Sequence, residues 1–319
     1  MYSKSRKGMS GMTALSHAVM EQYQIRKSRK QKEAFRAWLR ETLQKEGYQV
    51  SEEKKTFSTN VVVGDPEKAE VLFTAHYDTC AVLPIPNFIT PRNFLFYLLY
   101  QLVLCLPMFG IVFGAEAAIL LLWEDCPLWA VMGIMYALLF FMLWWIIDGP
   151  ANKHTANDNT SGVITLLETA MALPADQRDK VCFVFFDNEE KGLFGSSAFA
   201  ARHRGAKKNT LMINFDCVSD GDHIHLFPNK REKTDAELWK LLRNAFAADG
   251  EKSVTVMQGV YPSDQRAFAR GVGVCALKRN RILGYYMDRI HTGRDTVLDE
   301  RNIALLRDGA LRLVSQLSE

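Results

Sequence analysis

Two imidazoles and three carboxylates, carried on five separate segments, are of the types that hold a hydrolytic metal centre. They are His76 in Ala-His-Tyr-Asp78-Thr, Asp158 in Ala-Asn-Asp-Asn-Thr-Ser-Gly, Glu190 in Asn-Glu189-Glu-Lys-Gly-Leu-Phe-Gly-Ser, Asp216 in Asn-Phe-Asp, and His291 in His-Thr-Gly-Arg-Asp295-Thr. Imidazole nitrogens and carboxylate oxygens at ~2.0–2.2 Å leave zinc Lewis-acidic and able to keep a water. One aspartate has two oxygens and can serve two metals ~3.5–4 Å apart. Five side chains then suffice for two Zn2+, with one position left for a shared hydroxide. The chemistry they point to is metal-assisted hydrolysis.

In this order, the five segments resemble the di-zinc aminopeptidases typified by bacterial leucyl aminopeptidase. That superfamily also contains glutamate carboxypeptidases, glutaminyl cyclases and transferrin-receptor ectodomains. The likeness runs from about Arg26 to the C-terminus and is broken by one large insertion. It implies a three-layer α/β zinc-peptidase fold, with a mostly parallel mixed β-sheet flanked by helices. It also implies that Asp158 bridges the metals, His76 pairing with Asp216 and Glu190 with His291. Glu189 is then the general base, kept off the metals to pass a proton from the bridging water to the leaving amine. Asp78 accepts the second N–H of His76 and fixes its tautomer. Tyr261, in Gly-Val-Tyr-Pro-Ser-Asp264-Gln265, lies near the family's oxyanion-stabilising tyrosine. The family often has Ser-Asp-His where this chain has Gln265, a departure that bears on the substrate pocket and not on the metals. Asp295 is expected either to support the His291 loop or to cap a helix.

The elements that must position these residues follow from periodicity. Phe35, Leu39 and Leu43 recur at four-residue steps, predicting a basic amphipathic helix over 18–46 that Gly47 ends. Its cationic face suits either anionic lipid or solvent. Strands are expected at 57–63, 70–75, 180–186 and 210–215. Val71-Leu-Phe-Thr-Ala and Val181-Cys-Phe-Val-Phe-Phe are continuous apolar runs, as in central strands buried on both faces. Helices at 161–173, 193–204, 233–248 and 299–317 alternate with them. His76, Glu189–Glu190 and Asp216 each fall at a strand's C-terminal end, the edge where ligands gather in open α/β sheets. His223 and His225 share one face of a further strand, where they could bind metal, although a solvent-exposed face is the expected reading.

The insertion is of a different kind. Residues 93–113 and 127–147 are uncharged and apolar. At 1.5 Å per residue each spans ~30 Å, the thickness of a bilayer's hydrocarbon core. Trp123, Trp129, Trp144 and Trp145 stand near the ends, as in interfacial aromatic belts. Gly114–Trp123 either prolongs the first span or lies at the interface. Arg92 and Lys153 flank the pair, residues 1–46 carry eleven Lys/Arg against four Glu, and only Glu116, Glu124 and Asp125 are charged between the spans. The positive-inside rule therefore sets a cell-membrane, two-span topology with the catalytic domain in the cytoplasm. The basic N-terminus lacks a signal peptide's apolar stretch. The domains read as 1–46 (basic helical region), 47–83 with 150–319 (di-zinc peptidase), and 84–149 (transmembrane hairpin).

A net charge of +3 without a basic–aromatic stripe points away from nucleic acid. Six cysteines without CxxC spacing read as reduced thiols rather than a disulfide frame. The leading reading is thus a membrane-anchored zinc aminopeptidase acting on peptides, apolar or membrane-partitioned ones among them. A glutaminyl-cyclase-like acyltransferase with one zinc and a non-catalytic membrane scaffold are the alternatives, separated from it by zinc content.

Overall fold

A computed structural model describes residues 13–123, 125–229, 234–247 and 252–317. Residues 1–12 of the basic N-terminal stretch, and Glu124 between the apolar runs, lie outside the described residues.

The helix expected over 18–46 is two helices, α1 (Ala14–Gln22) and α2 (Arg29–Lys45). The break has a physical cause in Arg26, which is fully buried. Its guanidinium donates to the Tyr23, Gln24 and Tyr77 carbonyls and to Thr160 Oγ1. A buried guanidinium needs several acceptors, and here non-helical backbone supplies two of them. Burial also lowers its pKa to about 10. A local signal for the restart is present: Ser28 and Gln31 form a reciprocal capping box at the start of α2. Phe35, Leu39 and Leu43 then face the core.

The strands are β1 (Val50–Lys55), β2 (Ser58–Val63), β3 (Val71–His76), β4 (Val181–Phe186), β5 (Leu211–Phe215), β6 (His223–Pro228), β7 (Ser253–Val256), β8 (Gly271–Asn280) and β9 (Gly284–Tyr286). They form one mixed sheet in the order β1-β2-β4-β3-β5-β8-β6-β7, with β9 paired to β8. The central β4, β3, β5 and β8 are mutually parallel. Alternate side chains face opposite layers. Phe73, Phe183 and Ile213 pack with helices α5 (Gly162–Ala172), α8 (Ala236–Ala245) and α9 (Glu300–Leu317), and with α1 and α2. Leu72, Val184 and Met212 pack beneath α6 (Phe194–Arg202) and α7 (Arg204–Asn209). This is the expected three-layer α/β architecture.

The insertion leaves the sheet after β3 and forms two long helices, α3 (Phe94–Leu122) and α4 (Leu128–Asp148), which pack on each other. Both are long and apolar enough to cross a membrane; α3 has no fully buried residue and α4 buries Val131. Gly114–Leu122 continues the first helix rather than leaving it. Pro107 sits inside α3. The insertion's two feet pair with each other through an antiparallel bridge between Ala81 and Ala151. Asp148, the last residue of α4, pairs with Lys191, and Lys27 Nζ donates to the Ile147 carbonyl at 2.7 Å.

Candidate metal centre

Because β3 is parallel to β4 and β5, with Val71 in register with both Val181 and Leu211, the three C-terminal ends lie side by side. His76 is the last residue of β3, the turn after β4 carries Glu189 and Glu190, and Asp216 follows β5. Asn188 and His291 adopt left-handed backbone conformations (φ 56° and 60°), which turn the chain sharply beside the site. Asp158 stands in non-helical backbone (φ −108°, ψ 100°) within the turn Ala156–Ser161 that leads into α5.

Asp158 stands at the centre. Its Oδ1 lies 3.3 Å from His76 Nε2, which is also 3.5 Å from Asp216 Oδ1. Its Oδ2 lies 3.0 Å from His291 Nε2, which is also 3.1 Å from Glu190 Oε2. One carboxylate thus faces two separate donor groups with different oxygens. Ligand atoms of His76, Asp158 and Asp216 lie within 4.8 Å of one another, as do those of Cys80, Asp158, Glu190 and His291. Cys80 was not singled out from the sequence; its only signal is its place four residues after His76, on the segment that enters the insertion.

The neighbours explain how this cluster is held. Asp78 Oδ1 accepts the Glu189 amide at 3.0 Å and Oδ2 the Glu190 amide at 3.2 Å. His76 Nδ1 lies 3.2 Å from the Asp78 carbonyl and 3.5 Å from its Oδ1. Asp78 therefore fixes the acidic turn as well as facing the imidazole. Asp295 does something the sequence did not suggest: its carboxylate accepts the Asn157 and Asp158 amides at 2.8 and 3.0 Å. It organises the Asp158 turn and caps none of the described α-helices. Asn157 Oδ1 accepts the Ser219 and Asp220 amides, and Asn159 Nδ2 donates to the Phe215 carbonyl, tying that turn to the exit of β5. A side chain at Gly162 would meet the Phe215 carbonyl oxygen at 2.3 Å, so only glycine allows this approach.

Tyr261 is 8% exposed, and its hydroxyl donates to the Asp216 carbonyl at 3.1 Å. Gln265, where the family often has histidine, donates from Nε2 to the Tyr261 carbonyl at 2.6 Å. Here it braces the Tyr261 segment. His223 and His225 do share a strand face, but it is not a solvent face. His225 is fully buried, with Tyr285 edge-on at 4.3 Å between ring centroids. The cause is β9 and its flanking chain, which fold over that face. Burial lowers the His225 pKa to about 4.

The electrostatics suit the cluster to positive charge. Burial would push the Asp158 carboxyl up, but the bonds to His291 and His76 outweigh it and hold it below the usual range. Burial would lower both imidazoles, yet the carboxylates facing them raise them well above normal. Glu189 is raised strongly, first by burial and then by Asp264, Glu190 and Asp216, with His76 opposing. Glu190 Oε1 is buried without a hydrogen-bond partner. Several buried acids drawing positive charge onto two histidines form a donor set suited to divalent cations, and nitrogen with oxygen donors fits zinc. These residues, with Asn87, Ile89 and Pro262, line a cavity of about 130 Å³.

Known proteins resemble this chain in sequence and in fold. The alignment to aminopeptidase YwaD of Bacillus subtilis (strain 168) is 31% identical over 109 residues, covering 33% of this chain and 24% of that protein. A probable leucine aminopeptidase of Arthroderma otae is 26% identical over 155 residues, or 44% of this chain and 42% of that one. The chain thus spans less than half the length of these curated relatives. Among solved structures, Porphyromonas gingivalis glutaminyl cyclase superposes with a TM-score of 0.60 at 16% identity, covering 95% of this chain and 96% of that one. A Zn-dependent exopeptidase from Parabacteroides distasonis gives 0.57 at 15% identity, covering 94% of both. At such identities the likeness is one of fold. Residues 145–312, which include Asp158, Glu189, Glu190, Asp216, Tyr261 and His291, match peptidase family M28, and they make up more than half of the sequence: the chain belongs to peptidase family M28.

Proposed function

We propose that this chain is a membrane-anchored zinc aminopeptidase that hydrolyses the N-terminal bond of peptides, with two Zn2+ per chain. The observation that carries the reading is Asp158, whose two oxygens address two separate imidazoles. His76, Asp216 and Asp158 would hold one ion; His291, Glu190 and Asp158 would hold the other. Zinc bound there supplies Lewis acidity, polarising the scissile carbonyl and acidifying water. Two donor groups favour this over a glutaminyl-cyclase-like reading with one ion, and intact donor sets favour it over a scaffold.

The remaining work falls to the chain's own side chains. Glu189 belongs to neither donor group and lines the same cavity, which suits a base that takes a proton from the attacking water and returns it to the leaving amine. Asp78 keeps Glu189 in place through the backbone. The Tyr261 hydroxyl is the donor for the developing oxyanion, exchanging its bond to the Asp216 carbonyl for one to substrate. The cavity's roughly 130 Å³ is far below the ~300–1,000 Å³ of clefts that enclose drug-sized ligands. It suits the end of a peptide rather than an extended segment, which favours exopeptidase action.

Helices α3 and α4 would form the anchor. The 29 residues of α3 run ~43 Å at 1.5 Å each, longer than a ~30 Å hydrocarbon core, so tilt or interfacial extension is needed. Charge bias sets both helix feet, and residues 47–83 with 150–317, on the cytoplasmic side. The test is a panel of aminoacyl fluorogenic substrates with the full-length protein in detergent. Cleavage should vanish with a chelator and return with zinc. Protein that holds two zinc ions and releases no N-terminal residue from any substrate would sink the aminopeptidase reading.

A further inference from the structure

We propose that Cys80 is the fourth ligand of the half-site built on His291 and Glu190, so that the two half-sites differ in kind. The proposal rests on the metallopeptidase reading and adds a ligand to it. Cys80 is 3% exposed, and its sulfur lies within 4.8 Å of ligand atoms of Asp158, Glu190 and His291. A second observation points to the same place: Glu190 Oε1, on a side chain 8% exposed, is buried with no hydrogen-bond partner. The backbone holds the thiol there. Asn152 N–H donates to the Cys80 carbonyl at 3.1 Å, and Leu83 N–H donates to the His291 carbonyl at 2.7 Å. Asn152 Nδ2 donates to the Thr292 carbonyl at 3.0 Å and lies 3.8 Å from the sulfur.

The other half-site has no such sulfur. Cys217 is near, but its thiol donates to Asp216 Oδ1 at 3.1 Å, and it is not within the group formed by His76, Asp158 and Asp216.

The consequence follows from coordination number. Zinc with four protein ligands is a closed site, and zinc with three keeps a position for water or substrate. Cys80, His291, Glu190 and Asp158 close one half-site, the thiol giving its proton to solvent as it ligates. His76, Asp216 and Asp158 would leave the other open. The sulfur also makes its half-site prefer zinc over magnesium or manganese, which thiolates do not suit. Water activation is thus concentrated at the His76 half-site, with the Cys80 half-site contributing structure and charge.

The experiment uses full-length protein in detergent, stripped with a chelator and titrated with Co2+. A near-ultraviolet sulfur-to-cobalt charge-transfer band should appear, persist in Cys217→Ser and be absent from Cys80→Ser. Zinc affinity at one site of Cys80→Ser should fall at least the ~10–100-fold that loss of a mere outer-shell partner costs. Zinc-edge X-ray absorption of the unaltered protein needs no variant to fold and should show sulfur at ~2.3 Å, about half a sulfur per zinc when averaged over the two ions. Cobalt bound without the band, a zinc shell without sulfur, or a band that disappears in Cys217→Ser instead would overturn the inference alone. Protein that takes up no metal would overturn the metallopeptidase reading with it, and metal content tells the two failures apart.

Discussion

Replacing Asp78 with asparagine tests whether one carboxylate organises both the acidic turn and an imidazole. Asp78 accepts two backbone N–H groups, from Glu189 and Glu190, inside a site where it is 2% exposed. Hydrogen bonds to a charged acceptor contribute ~1.5–3 kcal/mol each, so the pair contributes about 3–6 kcal/mol at most. An asparagine can offer its oxygen to one amide only, and its NH2 group then meets the other, donor against donor. The expected loss is one charged bond plus an unsatisfied buried N–H, roughly 3 kcal/mol of stability in metal-free protein. The same change loosens the turn that carries Glu189 and Glu190. A displacement of about 1 Å costs ~10²-fold in rate, and loss of a partner behind a ligand costs ~10–100-fold in metal affinity. Denaturant unfolding in chelator, zinc titration and kcat on one aminoacyl substrate measure the three effects separately. A variant that matches the unaltered protein in all three would refute the idea that Asp78 organises the site.

Glu189→Gln is isosteric and removes only proton acceptance, so turnover should fall by ~10²–10⁴-fold while zinc content stays near normal; loss of metal with activity retained on reloading would mean that the roles of Glu189 and Glu190 are reversed. Asp158→Ala takes an oxygen from both donor groups at once, and elemental analysis should find both zinc sites weakened together; loss of only one ion would argue against the shared carboxylate. Asp125→Cys, in a background lacking Cys126, should react with an impermeant thiol reagent in intact cells, and Ser315→Cys only after permeabilisation; the reverse pattern would put the peptidase unit outside.

The parts of the fold that read clearly from the sequence are those where burial imposes a pattern. β3 and β4 are buried at every position on both faces, and their runs are unbroken apolar residues but for Thr74 and His76. β1 is the opposite case. Its sequence Val-Ser-Glu-Glu-Lys-Lys is largely exposed, and its six-residue pairing with β2, rather than its own side chains, makes it a strand. The division of the N-terminal helix was hidden because Arg26 is a charged residue in a charged stretch, and nothing local says that it reaches the Tyr77 carbonyl just past β3 and the Thr160 hydroxyl. The residues drawn around Asp158 were recognisable by type and order. Their supports were not: Asp295 and Asp78 act on backbone amides more than 100 residues away in sequence, and a lone carboxylate in a loop does not disclose such a partner.

The place of the insertion in the structure bears on its purpose. A simple anchor needs only an attachment point, and an exposed surface loop would serve. Here the chain leaves for α3 just after His76, Asp78 and Cys80, and it returns from α4 ten residues before Asp158. The departing strand is bonded to the His291 loop through Leu83 N–H, and the returning one bridges to Ala81. Lys191, adjacent to Glu190, holds the last residue of α4. Further along the departing segment, Ile89 pairs with Met287, on the stretch leading to His291, and lines the cavity. Any tilt of the two helices would therefore be transmitted through short, hydrogen-bonded segments to the His291 loop and to the turn carrying Glu190. An apolar peptide that enters the bilayer gains ~0.8 kcal/mol per buried CH₂, which concentrates it at the surface where the mouth of the cavity would lie. On the proposed membrane topology, anchoring and substrate capture would be two consequences of one placement, with the insertion forming part of the site's frame.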